Sequence, residues 1–150
     1  MSLLSESDKQ ELQKVMKEEM DEDVIVALFT KSQSPIVVPG QECVTCDQTG
    51  ELMKEVTSLS DKLQLEVHDF YEEKDLAAEH KIHRIPAVVV KGKAQGKVRY
   101  FGIPAGLGFS NFIDGLLAVS KGATSLSEDT RESLGTLAKD VHIQVFTTPM

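Results

Sequence analysis

Apolar and polar positions follow distinct periods along the chain, and these periods predict a succession of helices and strands. Apolar side chains spaced by three and four residues predict helices over residues 5–20 and 43–60. Between them, residues 24–30 form a nearly continuous apolar run, which is typical of a strand covered on both faces. Alternating apolar and polar positions predict a second strand over residues 63–70. Because a helix connects these two strands, we expect them to be parallel.

The second half of the chain predicts a short helix, two strands and a final helix. The short helix is predicted over residues 74–82, and a buried strand follows at residues 88–90 with Pro86 at its entrance. After a hairpin-type turn at residues 92–96, a further strand is predicted over residues 97–101. The side chains that predict the final helix are Phe109, Phe112, Ile113, Leu116 and Leu117. The whole order is a helix followed by β-α-β-α-β-β-α, an α/β fold with a mixed four-stranded sheet and helices on both faces.

The only two cysteines, Cys43 and Cys46, lie three positions apart where the second helix is predicted to begin. Residues at this spacing share a helix face, so the two sulfurs can form a disulfide with little backbone movement. Unpaired N–H groups and the helix dipole favour an anion there, which predicts a reactive thiolate at Cys43. Taken alone, the pair also fits two buried structural thiols or half of a zinc site.

Composition narrows the class of protein. The chain has 150 residues, enough for one domain with an appendage. Its net charge of −8 and pI of about 5.0 argue against nucleic acid or an anionic membrane surface as a partner. No apolar run approaches the roughly 20 residues of a membrane span, and the N-terminus lacks the pattern of a secretory signal. We therefore expect a cytoplasmic protein, in which closely spaced cysteines are more often catalytic or metal-binding than stabilising.

The cysteine pair, the predicted topology and Ile85–Pro86, which follows Cys46 by 40 residues, together resemble the thioredoxin-like superfamily. The resemblance implies that Pro86 forms a cis peptide bond facing the cysteines. It also implies that the Ile85 backbone offers hydrogen bonds to an extended substrate. One departure is Ala27, which aligns with the buried aspartate that relays protons in thioredoxin.

By the same resemblance, the expected activity is thiol–disulfide exchange without a further cofactor. Cys43 would attack a disulfide and Cys46 would resolve the mixed disulfide. Between them, Val44 and Thr45 would contact the substrate through the backbone and apolar atoms, since neither carries a charge. The implied substrates are protein disulfides and peroxiredoxins, and the implied reductants are a thioredoxin-reductase-like flavoprotein or glutathione.

Residues 99–106, followed by an apolar helix, resemble the glutaredoxin-like protein disulfide oxidoreductases of archaea and some bacteria, which join two thioredoxin-like units. An internal repeat agrees, since residues 24–30 align with residues 141–147 and a predicted helix precedes each segment. We therefore predict a thioredoxin-like unit at residues 1–121. Residues 122–150 would be a linker, a helix and the first strand of a truncated second unit.

Two alternatives remain open from the sequence. In the first, the unit is a non-catalytic scaffold or an electron relay that supports a second redox unit. In the second, Cys43 and Cys46 bind a metal together with His80 and His83, two sulfurs and two nitrogens that zinc accepts, or a pair of chains shares an iron–sulfur cluster. The separation of 33 residues between Cys46 and His80 is unlike that of a compact zinc finger.

Overall fold

A mixed sheet of four strands forms the centre of the molecule. A computed structural model describes residues 3–32, 38–94 and 97–147. The strands are β1 (Val24–Thr30), β2 (Leu63–Asp69), β3 (Ala87–Lys91) and β4 (Val98–Phe101). Their order across the sheet is β2-β1-β3-β4. Strand β1 is parallel to β2, and β3 is antiparallel to both β1 and β4, so the predicted α/β fold and mixed sheet are confirmed.

Five helices lie before, between and after the strands in the described part of the chain. They are α1 (Glu6–Glu19), α2 (Cys46–Thr57), α3 (Lys74–Glu79), α4 (Leu107–Lys121) and α5 (Glu128–Gly135). Helix α1 begins with a capping box, in which the Ser5 side chain accepts from the backbone N–H of Asp8. Helix α3 is shorter than predicted, because Lys81 adopts a positive φ of 56° and turns the chain away from the helix.

Two apolar cores cover the two faces of the sheet, and β1 contributes to both. Val24, Val26 and Leu28 belong to the larger core with α1, α2 and α4. Ala27 and Phe29 point to the other face, where α3 completes a smaller core. The continuous apolar run of β1 therefore reflects burial on both sides, as its sequence predicts.

The sheet brings the two predicted motifs to one edge. Phe29 of β1 pairs with Ala87 of β3, so Pro86 lies beside the end of β1 from which the chain leads to the cysteines. A Cβ built on Gly50 of α2 would lie 3.9 Å from the Leu28 side chain, so the first turns of α2 cover the same end of β1. Strand pairing and helix packing thus converge on this edge.

The C-terminal segment differs from its prediction. Helix α5 forms, but residues 141–147 carry no strand, so the predicted strand is wrong for this structure. A strand needs a partner for its backbone hydrogen bonds, and no strand of the described residues pairs with this segment. Its apolar side chains at 141, 143, 145 and 146 are 62–81% exposed. The domain division at residue 121 stays a prediction.

Parts of three segments lie outside the described residues. These parts are residues 95–96 of the predicted hairpin turn, residues 33–37 before Cys43, and residues 148–150 at the end of the chain. Among the helices that the structure describes, none is long and apolar enough to cross a bilayer.

Candidate active site

Cys43 and Cys46 form a disulfide. The S–S distance is 2.00 Å and the two Cα atoms are 5.5 Å apart, within the usual range for this bond. The spacing of three residues thus places both sulfurs on one side of the turn, as the sequence predicts.

The two cysteines differ in exposure. Cys46 is the first residue of α2 and is 2% exposed, whereas Cys43 precedes the helix and is only half-buried. The Thr45 carbonyl holds this start of the helix, because it accepts hydrogen bonds from both the backbone N–H and the Oγ1 of Thr49, at 2.9 and 2.7 Å. Of the two, Cys43 is therefore the cysteine that an approaching partner can contact.

Between the cysteines, Val44 is almost fully exposed and Thr45 is half-buried. The Val44 side chain is 94% exposed, so it contributes nothing to the core. An exposed, uncharged side chain beside the disulfide provides an apolar contact surface for a partner.

The Ile85–Pro86 peptide bond is cis, and it lies at the edge of the sheet from which the loop to Cys43 departs. The Pro86 carbonyl accepts from the backbone N–H of Gly102 at 2.8 Å, which ties this loop to the end of β4. Within the described part of the chain, no hydrogen bond uses the N–H or the carbonyl of Ile85. Both groups are therefore unpaired among the described residues.

A cavity of about 400 Å³ reaches the buried Cys46 from the side of β2. Its wall combines the ends of β1 and β2 with the first turns of α2, and its ionisable residues are mostly acidic. The charged residues are Lys31, Asp47, Glu51, Lys54, Asp69, Glu72 and Glu73. Cys46 lines this cavity although the residue is almost fully buried.

Hydrogen bonds keep two carboxylates of this wall ionised. Burial opposes ionisation of Asp69, but hydrogen bonds from Ser32 and from the backbone of Tyr71 and Glu72 outweigh it and lower the pKa of Asp69. A hydrogen bond to the His68 ring, at 2.9 Å, is the main cause of the lowered pKa of Glu73.

The structure does not assemble the metal site considered from the sequence. The His80 ring is buried, with its centroid 5.6 Å from that of Phe29. The His83 ring instead lies against Phe101, at 4.8 Å. No group of three or more His, Cys, Asp or Glu side chains within residues 3–32, 38–94 and 97–147 could hold a metal ion. Ala27 is fully buried in the smaller core, so no carboxylate occupies that position.

The sequence predicts the pairing of Cys43 with Cys46 and singles out Ile85–Pro86, but it does not predict the cavity. The cavity joins residues from the end of β1, from α2 and from the turn after β2, and no local motif connects these segments. The one available signal was the acidic run Asp69–Glu73, which lies close in sequence to β2. His68, which the sequence left without a role, holds Glu73 at the rim of this site.

The fold and the cysteine pair define a thioredoxin-type protein. Residues 34–114 match the model of the Thioredoxin domain family, and the chain belongs to that family. No curated protein sequence matches the chain.

Solved structures with the same fold include larger redox proteins. A protein disulfide oxidoreductase from Aeropyrum pernix K1 is 28% identical, with a TM-score of 0.73 over 89% of this chain and 55% of that one. The alkylhydroperoxide reductase AhpF of Enterococcus faecalis is 19% identical and shares the fold, with a TM-score of 0.74 over 91% of this chain and 62% of that one. The chain thus spans less than two thirds of the length of either protein.

Proposed function

We propose that the chain is a protein thiol–disulfide oxidoreductase in which Cys43 attacks and Cys46 resolves. The observation that carries this assignment is the difference in exposure between the two cysteines of one disulfide at the start of α2. Family membership and the likeness to the Aeropyrum oxidoreductase support it. The alternative of an inert scaffold requires both cysteines to be buried and protected. Cys43 is only half-buried, which favours the oxidoreductase.

The reaction proceeds through two exchanges. The Cys43 thiolate attacks one sulfur of a substrate disulfide, and the other substrate sulfur leaves as a thiolate. Cys46 then loses its proton to solvent in the adjoining cavity and attacks the Cys43 sulfur, which releases the second substrate sulfur. The two protons of the starting dithiol end on the substrate thiols, and two electrons pass to the substrate. The reverse sequence makes a disulfide in a dithiol substrate.

The loop at Ile85 and Pro86 would position the substrate. An extended chain can bond to the free N–H and carbonyl of Ile85, while Val44 and Thr45 contact the residues beside its disulfide. Because all of these contacts use backbone or uncharged atoms, they favour an extended shape and not a particular sequence.

The glutaredoxin-like subtype and the two-unit organisation are part of this proposal. The repeat of residues 24–30 at 141–147, the exposed apolar side chains of the second copy, and the 55% coverage of the Aeropyrum protein support a second unit in the whole protein. In that arrangement the first unit could also relay electrons to the second.

We further propose protein disulfides and peroxiredoxins as substrates in the cytoplasm. Either a thioredoxin-reductase-like flavoprotein or glutathione would be the reductant. The name of the Enterococcus protein, an alkylhydroperoxide reductase, is compatible with peroxiredoxin partners. No cofactor beyond the disulfide is needed for this chemistry.

Two single-cysteine variants test the assignment of roles. Reduced Cys46→Ser should accumulate a mixed disulfide with a peptide disulfide, because Cys43 attacks and nothing resolves the product. Matched Cys43→Ser should form almost none, because its remaining sulfur is buried. Mass spectrometry of samples quenched with an alkylating agent measures both. Equal trapping by the two variants would contradict the assignment.

A redox titration of the wild-type chain is the complementary measurement. Both thiols should disappear together, with one midpoint between about −270 and −120 mV. Thiols that stay free across that whole range would instead favour the scaffold.

A further inference from the structure

A histidine and an arginine directly precede Ile85 and Pro86, and the mechanism above uses neither. The guanidinium carbon of Arg84 lies 5.0 Å from the centre of the Phe101 ring, and the ring centre of His83 lies 4.8 Å from it. Both His83 and Arg84 are exposed, while Phe101 is half-buried. We call these three residues the Arg84 patch.

The patch lies beside the place where a substrate would bind. Phe101 pairs with Ala87, the residue after Pro86, and Gly102, which follows β4, donates to the Pro86 carbonyl. Arg84 itself directly precedes Ile85, whose backbone groups are free. An extended chain bound to Ile85 would therefore pass within reach of the Arg84 side chain.

The Arg84 guanidinium has no anionic partner in the part of the chain that the structure describes. The ion pairs in that part of the chain involve neither Arg84 nor the exposed Lys81. The guanidinium carbon lies over the Phe101 ring, and no hydrogen bond among the described residues uses the Arg84 N–H groups, so these can donate to a ligand. The same contact restricts the side chain, and a restricted arginine loses less freedom when it binds.

We propose that the Arg84 patch binds carboxylates of an acidic segment that flanks the substrate disulfide. This inference rests on the proposed oxidoreductase function and adds the class of substrate that it prefers. The net charge of −8 does not oppose it at contact, because salt screens charges beyond about 8 Å under physiological conditions. At shorter distance the unpaired Arg84 dominates, and a guanidinium donates to a carboxylate through two parallel N–H bonds.

The test compares two synthetic peptides that carry the same internal disulfide, one flanked by three Glu and the other by three Gln. The reduced wild-type chain should react faster with the Glu peptide, and Arg84→Gln should lower the ratio of the two rates about two- to fivefold. Arg84→Glu should invert the preference. Raising the salt concentration from about 20 to about 500 mM should also reduce the wild-type ratio.

Matched controls separate charge recognition from damage to the fold. Arg131→Gln removes the same charge from the exposed α5 and should leave the ratio unchanged. Arg84→Lys keeps the charge but loses the two parallel N–H bonds, so it should retain only part of the preference. A ratio that is equal for wild type and Arg84→Gln, or a wild type without preference, would overturn the proposal. Absence of reaction with the Gln peptide as well would instead count against the oxidoreductase function.

Discussion

At the scale of single residues, His80 shows how a polar group can be buried without support. Its ring is 6% exposed and lies against Phe29 in the smaller core. Its Nδ1 atom has no hydrogen-bond partner among the described residues. Burial is the main cause of its lowered pKa, and the nearby Lys97 and Lys91 act in the same direction. The folded chain therefore holds a neutral imidazole.

This burial predicts that stability falls in mild acid. The ordinary pKa of histidine is about 6.5. Well above that pH, His80 is neutral in both the folded and the unfolded chain, and its protonation does not affect stability. As the pH falls from about 6.5 towards the lowered folded-state pKa, the unfolded chain gains its proton first, so the free energy of unfolding decreases. Urea unfolding at pH 7 and pH 5 measures the decrease.

The variant His80→Leu should lose less stability between those two pH values than the wild type, because it has no imidazole to protonate. The exposed His142, changed to Gln, is the control and should behave like the wild type. Identical pH profiles for wild type and His80→Leu would show that another group causes the loss.

What the sequence predicts at this scale depends on how rare a residue type is. Two cysteines and one Ile–Pro step stand out in any reading, and the structure places them at one edge of the sheet. His80 and His68 have no such signal, because a histidine can pack, pair or bind a metal with the same local sequence. Only the fold decides among these, since it sets which side chains surround each ring.

At the scale of elements, two glycines inside helices predict opposite effects of one substitution. A Cβ on Gly50 of α2 would meet only the Leu28 side chain, at an ordinary 3.9 Å. Gly50→Ala should therefore stabilise the chain by up to about 1 kcal/mol through helix propensity. A Cβ on Gly115 of α4 would fall inside contact distance of the Tyr100 hydroxyl group.

Tyr100 has little room to move, because its ring packs edge-on against Phe112 and its hydroxyl donates to the Asn111 carbonyl at 3.3 Å. Gly115→Ala should therefore be destabilising, since overpacking costs about 1–3 kcal/mol and exceeds the helix gain. Denaturant unfolding of both variants provides the comparison, each serving as the control for the other. Equal stabilisation by both would mean that Tyr100 adapts freely.

Periodicity predicted every strand of the sheet and the central helices, since these elements bury one or both faces. It did worse where burial is absent. Helix α3 ends early at the turn around Lys81, and residues 141–147 have a strand-like pattern without a strand beside them. A pattern shows which faces are apolar, but pairing requires a partner that the pattern does not name.

At the scale of the whole molecule, we expect the sheet with α1 to α4 to fold without help from the C-terminal segment. Every described residue from 123 to 147 is exposed, so this segment buries little apolar surface against the rest. A chain shortened to residues 1–124 should therefore unfold within about 4 °C of the full chain in a thermal scan.

The control is a deletion of residues 1–20, which removes α1 with the buried Met16 and Met20 and should lower the unfolding temperature by far more. A large drop for the 1–124 chain would show instead that the segment packs on the first unit. It would then weaken the proposed boundary at residue 121.

Position 44, beside the disulfide, is less constrained by packing than the positions of the core are. Because its side chain supports no packing, position 44 can accept many residue types without a cost in folding. Under the proposed function, a substitution at position 44 should change which substrates react while the disulfide and the core stay intact.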